Sequence, residues 1–187
     1  MRIIRYPAKT EWKQIAERPH MDVSQLNATV CQVLAEVKAH GDEAVKRYEK
    51  LFDHADLELL AVSEAEMNEA EALVSEELKE ALVLAHRNIA RFHEAQQFTG
   101  TKIETAKGVC CWQKSVAIEK VGLYIPGGTA PLFSTVLMLA TPAKIAGCKE
   151  IVLCTPPNRE GKINPAILVA ARIAGVGKIF KTGGVQA

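Results

Sequence analysis

Two glycine pairs lie where a parallel sheet would bind a ligand. Gly127 and Gly128 follow one short apolar segment, and Gly183 and Gly184 follow another. In open parallel sheets, ligands bind beyond the carboxyl ends of the strands. A helix capped by Ser134 after the first pair would direct backbone N–H groups and its positive dipole end at a phosphate. The loop matches neither GxGxxG nor a P-loop, so a ligand loop and a plain tight turn both remain open.

The segments around these glycines are expected to alternate between strands and helices. Three short apolar strands are predicted, at 121–125, 151–154 and 178–181, and 109–118 is also rich in strand-forming residues. Ser134 is expected to cap a helix ending at 145, and Asn164 a helix over 165–174 that has proline at its first position. The order strand, helix, strand, helix, strand predicts an α/β fold with an incomplete Rossmann-like parallel sheet.

The first part of the chain has helical character throughout. Four helices are predicted, beginning after Asp22 or Ser24, at Asp42, after Ser63 and after Ser75. Gly41 ends the first of them, and Glu66 completes a capping box with Ser63. We therefore divide the chain into a helical region, residues 1–108, and an α/β region, residues 109–187.

The histidines and cysteines form no recognisable metal or redox motif. The five histidines are spread over the helical region, at His20, His40, His54, His86 and His93, and surface or capping roles are expected for them. Cys110 and Cys111 are adjacent, so on a strand they would point to opposite faces. Cys148 and Cys154 lie in apolar segments, where cysteine behaves as a small hydrophobe. A catalytic thiol, as in aldehyde dehydrogenases, remains a secondary hypothesis.

The composition excludes several classes of function. The 187 residues include 23 Lys and Arg against 22 Asp and Glu, a formal net charge of +1, which gives no electrostatic signature for nucleic acid or an anionic membrane. No apolar run approaches the roughly 18 residues that span a bilayer. Five cysteines are an odd number and favour a reduced, cytoplasmic compartment.

Several motifs resemble one enzyme family. The longest is VGLYIPGGTAPLFSTVLM at 121–138, followed by AKIAGCKEIVLCTPP at 143–157 and GGVQA at 183–187. GDEA at 41–44 and NIARFHEAQ at 88–96 add to the match. Together these segments strongly resemble histidinol dehydrogenase over residues 20–187.

The resemblance implies a function, a set of cofactors and an assembly. The family oxidises L-histidinol through the aldehyde to L-histidine, the last two steps of histidine biosynthesis, using two NAD and a zinc ion that holds the substrate. Its members are homodimers with two related α/β domains and helical extensions. By resemblance, Tyr124 and Gln186 contact NAD, and Pro126, Gly127 and Gly128 shape the same wall.

Family chains are much longer, and the resemblance places their zinc ligands and their glutamate–histidine acid–base pair beyond Ala187. We therefore assign no catalytic or metal-binding residue here and expect an inactive fragment with a cofactor wall. The alternative is a non-catalytic α/β module for nucleotide binding or assembly. If the strand around Ile179 lacks a covering neighbour, its open edge would favour dimers or larger associations.

Overall fold

Five helices come first along the described part of the chain. The computed structural model describes residues 3–18, 24–127 and 131–187, so His20, Asp22 and Gly128 lie outside the described residues. The helices are α1 (Trp12–Ala16), α2 (Ser24–His40), α3 (Asp42–Tyr48), α4 (Glu64–Leu73) and α5 (Glu76–Glu94). The last four are the predicted helices. Helix α3 is shorter than expected, because residues 49–53 form a wider, π-type turn.

A small hairpin separates these helices from the main sheet. It consists of β1 (Ile103–Ala106) and β2 (Val109–Cys111), which pair antiparallel across Gly108. The prediction of strand character over 109–118 is therefore correct only for its first three residues, and residues 112–118 belong to no strand. The sequence gives no clear alternation across 101–106, which is why the first strand of the hairpin was not predicted.

A parallel three-stranded sheet organises the C-terminal half. Its elements are β3 (Lys120–Tyr124), α6 (Phe133–Ile145), β4 (Glu150–Thr155), α7 (Pro165–Ile173) and β5 (Lys178–Lys181). The strands lie in the order β3, β4, β5 and all run parallel. The predicted α/β fold is confirmed. Within the described ranges, no helix is long and apolar enough to cross a membrane.

The hydrophobic core joins the helical region to the sheet. Leu153 in the central strand, Ile125 after β3 and Leu137 in α6 are fully buried. Six consecutive residues of α7, 166–171, are buried as well. Helices α4 and α5 contact α7 and α6 and contribute Ala70, Val74 and Leu82 to the same cluster. The three-stranded sheet and the helices of the N-terminal part therefore share one apolar core, which fixes the position of the strand ends.

The outer edge of β5 is covered, contrary to the sequence-based expectation. Ala61 forms an antiparallel bridge with Phe180. The Val62 N–H donates to the Ile179 carbonyl at 2.9 Å, and the Lys181 N–H donates to the Leu60 carbonyl at 2.7 Å. Because this short segment before α4 satisfies the edge, the premise of an open strand at Ile179 was wrong. The expectation of association that rested on it loses its support.

Two predicted helix caps have different outcomes. The Asn164 side chain accepts a hydrogen bond from the Ala166 N–H at 2.9 Å and caps α7 as predicted. Ser134, by contrast, lies inside the first turn of α6, whose N-cap position is Leu132 with no side-chain cap. The physical reason is that the chain already turns helical at Phe133, so the hydroxyl sits past the position from which it could cap.

This difference gives a matched pair of variants. We expect Asn164→Ala to lower the free energy of unfolding by about 1 kcal/mol, because the orphan N–H at the start of α7 loses its acceptor. Ser134→Ala should change it by less than about 0.5 kcal/mol. Urea denaturation followed by circular dichroism measures both. Equal losses in the two variants would contradict the assignment of the cap.

Candidate functional site

The carboxyl ends of the three parallel strands meet around Pro156. A Cβ on Gly127, which follows β3, would lie 2.5 Å from Pro156 Cγ. A Cβ on Gly183, which follows β5, would lie 2.5 Å from Pro156 Cβ. Atoms cannot approach so closely, so both positions require glycine for close packing against the residue that follows β4. The two glycines singled out in the sequence thus join three strand ends into one surface.

A cavity of about 770 Å³ opens at this end of the sheet. Its walls come from the segments after β3 and β4, from α4 and from the start of α7. Tyr124, Pro126, Gly127 and Gly184 are among the residues that line it. Its size is within the range of about 300–1,000 Å³ typical of small-molecule sites, and its place is the one where open parallel sheets bind ligands.

Tyr124 connects two of these walls. Its ring is 41% exposed at the end of β3. Its hydroxyl accepts a hydrogen bond from the Gly184 N–H at 3.0 Å. Gly184 has a φ of +57°, in the left-handed region that favours glycine. The structure thus brings together Tyr124 and the second glycine pair, which are 60 residues apart in the chain.

Gln186 lies behind this wall. It belongs to a short 3₁₀ turn, Gly184–Gln186, and is only 4% exposed. Its Nε2 donates to Glu49 Oε1 at 2.9 Å, while its own buried Oε1 has no hydrogen-bond partner among the described residues. An unsatisfied buried amide oxygen is costly. Gln186 does not line the cavity, so the structure does not expose this amide to a ligand there.

Glu49 is a site residue that sequence reasoning missed. Its side chain is fully buried, and it faces the segment that follows β5. The available signal was its spacing: Glu49 comes four residues after Val45, which is buried on the core-facing side of α3. A carboxylate on the apolar side of a helix requires partners, and here they come from 133 or more residues away.

The charged side chains of Glu66, Glu69 and Lys162, which line the cavity, form local pairs. Lys181 Nζ lies 3.1 Å from Glu66 Oε1, and Lys162 Nζ lies 2.5 Å from Glu69 Oε2. Burial works against ionisation of Glu66, but hydrogen bonds from the Ser63 backbone and from Lys181 outweigh it and hold its pKa below the usual range. The hydrogen bond to Glu69 raises the pKa of Lys162. These cations are engaged by carboxylates rather than free to bind an anion.

The cysteines and histidines supply no reactive centre within the described ranges. Burial, and secondarily the charge of Glu49, raises the pKa of the Cys154 thiol, which is opposite to what a nucleophilic cysteine requires. All five cysteines are free. No group of three or more His, Cys, Asp or Glu side chains that could hold a metal ion occurs among the described residues, so these residues do not fit a zinc ion.

Comparison with known proteins identifies the family. The family model for histidinol dehydrogenase matches residues 16–187. This chain belongs to the histidinol dehydrogenase family. It is 62% identical to the histidinol dehydrogenase of Bacteroides fragilis and 59% identical to that of Bacteroides thetaiotaomicron, in each case over all 187 residues and 44% of the relative's length.

A solved structure supports the same assignment to the histidinol dehydrogenase family. The crystal structure of histidinol dehydrogenase from Elizabethkingia anophelis matches with a TM-score of 0.91 and 48% sequence identity. The match covers 96% of this chain and 42% of that one. The chain thus spans less than half the length of the family members that it matches.

Proposed function

We propose that this chain forms the NAD-binding wall of an enzyme that oxidises L-histidinol to L-histidine through L-histidinal. The observation that carries the proposal is the hydrogen bond between Tyr124 and Gly184. Both residues line the cavity, and both belong to sequence motifs of the family. The residues that would hold NAD are Tyr124, Gln186, Pro126, Gly127 and Gly128. Gln186 is included on the resemblance to the family, because its side chain is buried and does not line the cavity.

Each of these residues has a role that its position suggests. Tyr124 offers an exposed ring face to a planar ring, while its hydroxyl fixes the turn at Gly184. Pro126 and Gly127 give the wall its shape, and the absence of a side chain at Gly127 lets the segment after β3 pack closely against Pro156. Bound NAD supplies the acceptor for the hydride that leaves the alcohol carbon. Gln186 lies behind the wall and supports the turn that carries Gly184 through its hydrogen bond to Glu49.

The acid–base and zinc-binding groups belong, in this proposal, to the part of the family's length that the chain does not span. The chain alone is therefore expected to bind NAD without turning over L-histidinol, because proton removal from the alcohol requires a positioned base.

We further propose a cytoplasmic location, in keeping with five free cysteines, and a homodimeric assembly of the complete enzyme. The division at residue 108 into a helical and a cofactor-contacting region is part of the same proposal.

The test is a titration of the purified 187-residue chain with NAD, followed by calorimetry. We expect Tyr124→Ala and Gln186→Ala each to weaken NAD binding about tenfold, since each removes a contact worth about 1.4 kcal/mol. Tyr6→Ala is the matched control, because Tyr6 is fully exposed and lies outside the cavity. A parallel assay with L-histidinol, NAD and added zinc should form no NADH. Binding that is unchanged in both site variants, or NADH formation by the chain alone, would contradict the proposal.

A second candidate is an assembly module without cofactor binding. Its support is the extended segment 112–118, in which Trp112, Val116 and Ile118 are 58%, 77% and 69% exposed. Exposed apolar side chains in one segment are typical of a surface that another chain covers. Absence of NAD binding together with concentration-dependent association in light scattering would favour this candidate.

A further inference from the structure

One oxygen of the buried Glu49 carboxyl holds the whole segment that follows β5. Its Oε1 accepts hydrogen bonds from Thr182 Oγ1 at 2.7 Å, from the Gly183 N–H at 3.0 Å and from Gln186 Nε2 at 2.9 Å. We call residues 182–186 the cofactor turn, because Gly184 and Gln186 belong to it. Three donors on one acceptor atom fix this turn against α3 and the π-type turn that ends it.

The other oxygen of Glu49 has no such donor. Oε2 is buried without a hydrogen-bond partner among the described residues. The contact between Glu49 and the turn therefore depends on Oε1 alone, and a side chain that keeps an acceptor at this atom should keep the turn in place.

The hydrogen bonds of the turn also stabilise the buried carboxyl. Burial raises the pKa of Glu49, whereas the hydrogen bonds from Gln186, Gly183 and Thr182 lower it. Lys181, the last residue of β5, donates to Glu66 instead. The carboxyl and the turn therefore depend on each other.

We propose that Glu49 is a positioning residue for the cofactor wall, which holds the cofactor turn through three hydrogen bonds to Oε1. This inference rests on the proposed function, since the turn carries Gly184, the partner of Tyr124, and Gln186. Glu49 touches neither the cavity surface nor a ligand, and it acts through the three residues that it holds.

The decisive variant is Glu49→Gln. A glutamine amide has nearly the same shape and keeps an acceptor for the cofactor turn. We expect Glu49→Gln to bind NAD within about twofold of the wild type. Glu49→Ala should weaken binding about tenfold, because the turn loses its acceptor. Glu43→Gln, on the exposed side of α3, should bind NAD like the wild type.

A stability measurement separates this proposal from the proposed function. The urea midpoint of Glu49→Ala should fall relative to that of the wild type, whereas that of Glu49→Gln should stay close to the wild type. A loss of NAD binding in Glu49→Gln as large as in Glu49→Ala would overturn the proposal. If the wild type binds no NAD, the proposed function fails, while the urea midpoints still decide whether Glu49 holds the turn.

Discussion

Leu153→Ala is expected to lower the free energy of unfolding by about 3 kcal/mol. Leu153 lies in the middle of the central strand, is fully buried, and belongs to the core that joins the sheet to the helical layer. Removing its side chain takes away the transfer free energy and leaves a cavity, because strands on both sides prevent the backbone from closing the gap. Urea denaturation monitored by circular dichroism measures the loss.

The control for this variant is Leu59→Ala. Leu59 is 70% exposed, so the same chemical change should alter the free energy of unfolding by less than about 0.5 kcal/mol. A loss below about 1 kcal/mol for Leu153→Ala would mean that the sheet and the helices do not share one cooperative core. The NAD wall would then rest on a weaker support than the packing indicates.

Local signals were sufficient for most of the fold. The short strands at 121–125, 151–154 and 178–181 were predictable because their apolar runs are bounded by glycine and proline. The helix cap at Asn164 was predictable because a cap is a contact within three residues of the chain. The cover over the outer edge of β5 was not predictable, because it comes from the segment before α4, more than 100 residues earlier. Pairing at that separation leaves no periodicity to detect.

The candidate site divides in the same way. The position of Gly127 and Gly183 at strand ends could be predicted from order alone, since parallel strands bring their carboxyl ends to one edge. Their close contact with Pro156 could not be predicted. A glycine that is required for close packing and a glycine that is required for a turn cannot be distinguished from the sequence. Glu49 was hidden for a related reason: among many exposed glutamates of the helical region, only its tertiary partners distinguish it.

The substitution Gly183→Ala should have the largest combined effect on stability and on NAD binding. The added Cβ would lie 2.5 Å from Pro156 Cβ and 3.2 Å from Pro156 Cα, so the strand end or the cofactor turn must move.

Because the Gly183 N–H also donates to Glu49, a shift of the turn breaks that hydrogen bond and displaces Gly184 from Tyr124. We expect a loss of about 2 kcal/mol in the free energy of unfolding and at least about tenfold weaker NAD binding.

The Gly127→Ala variant should lose less stability, because its added Cβ contacts mainly the Cγ of the same proline ring, which can change pucker. Gly177→Ala, where a Cβ meets nothing within 4 Å, should leave both quantities unchanged and serves as the control. The ranking can be measured by urea denaturation and NAD calorimetry on the three variants, and a Gly183→Ala protein as stable as Gly177→Ala would refute the tight junction of the strand ends at Pro156.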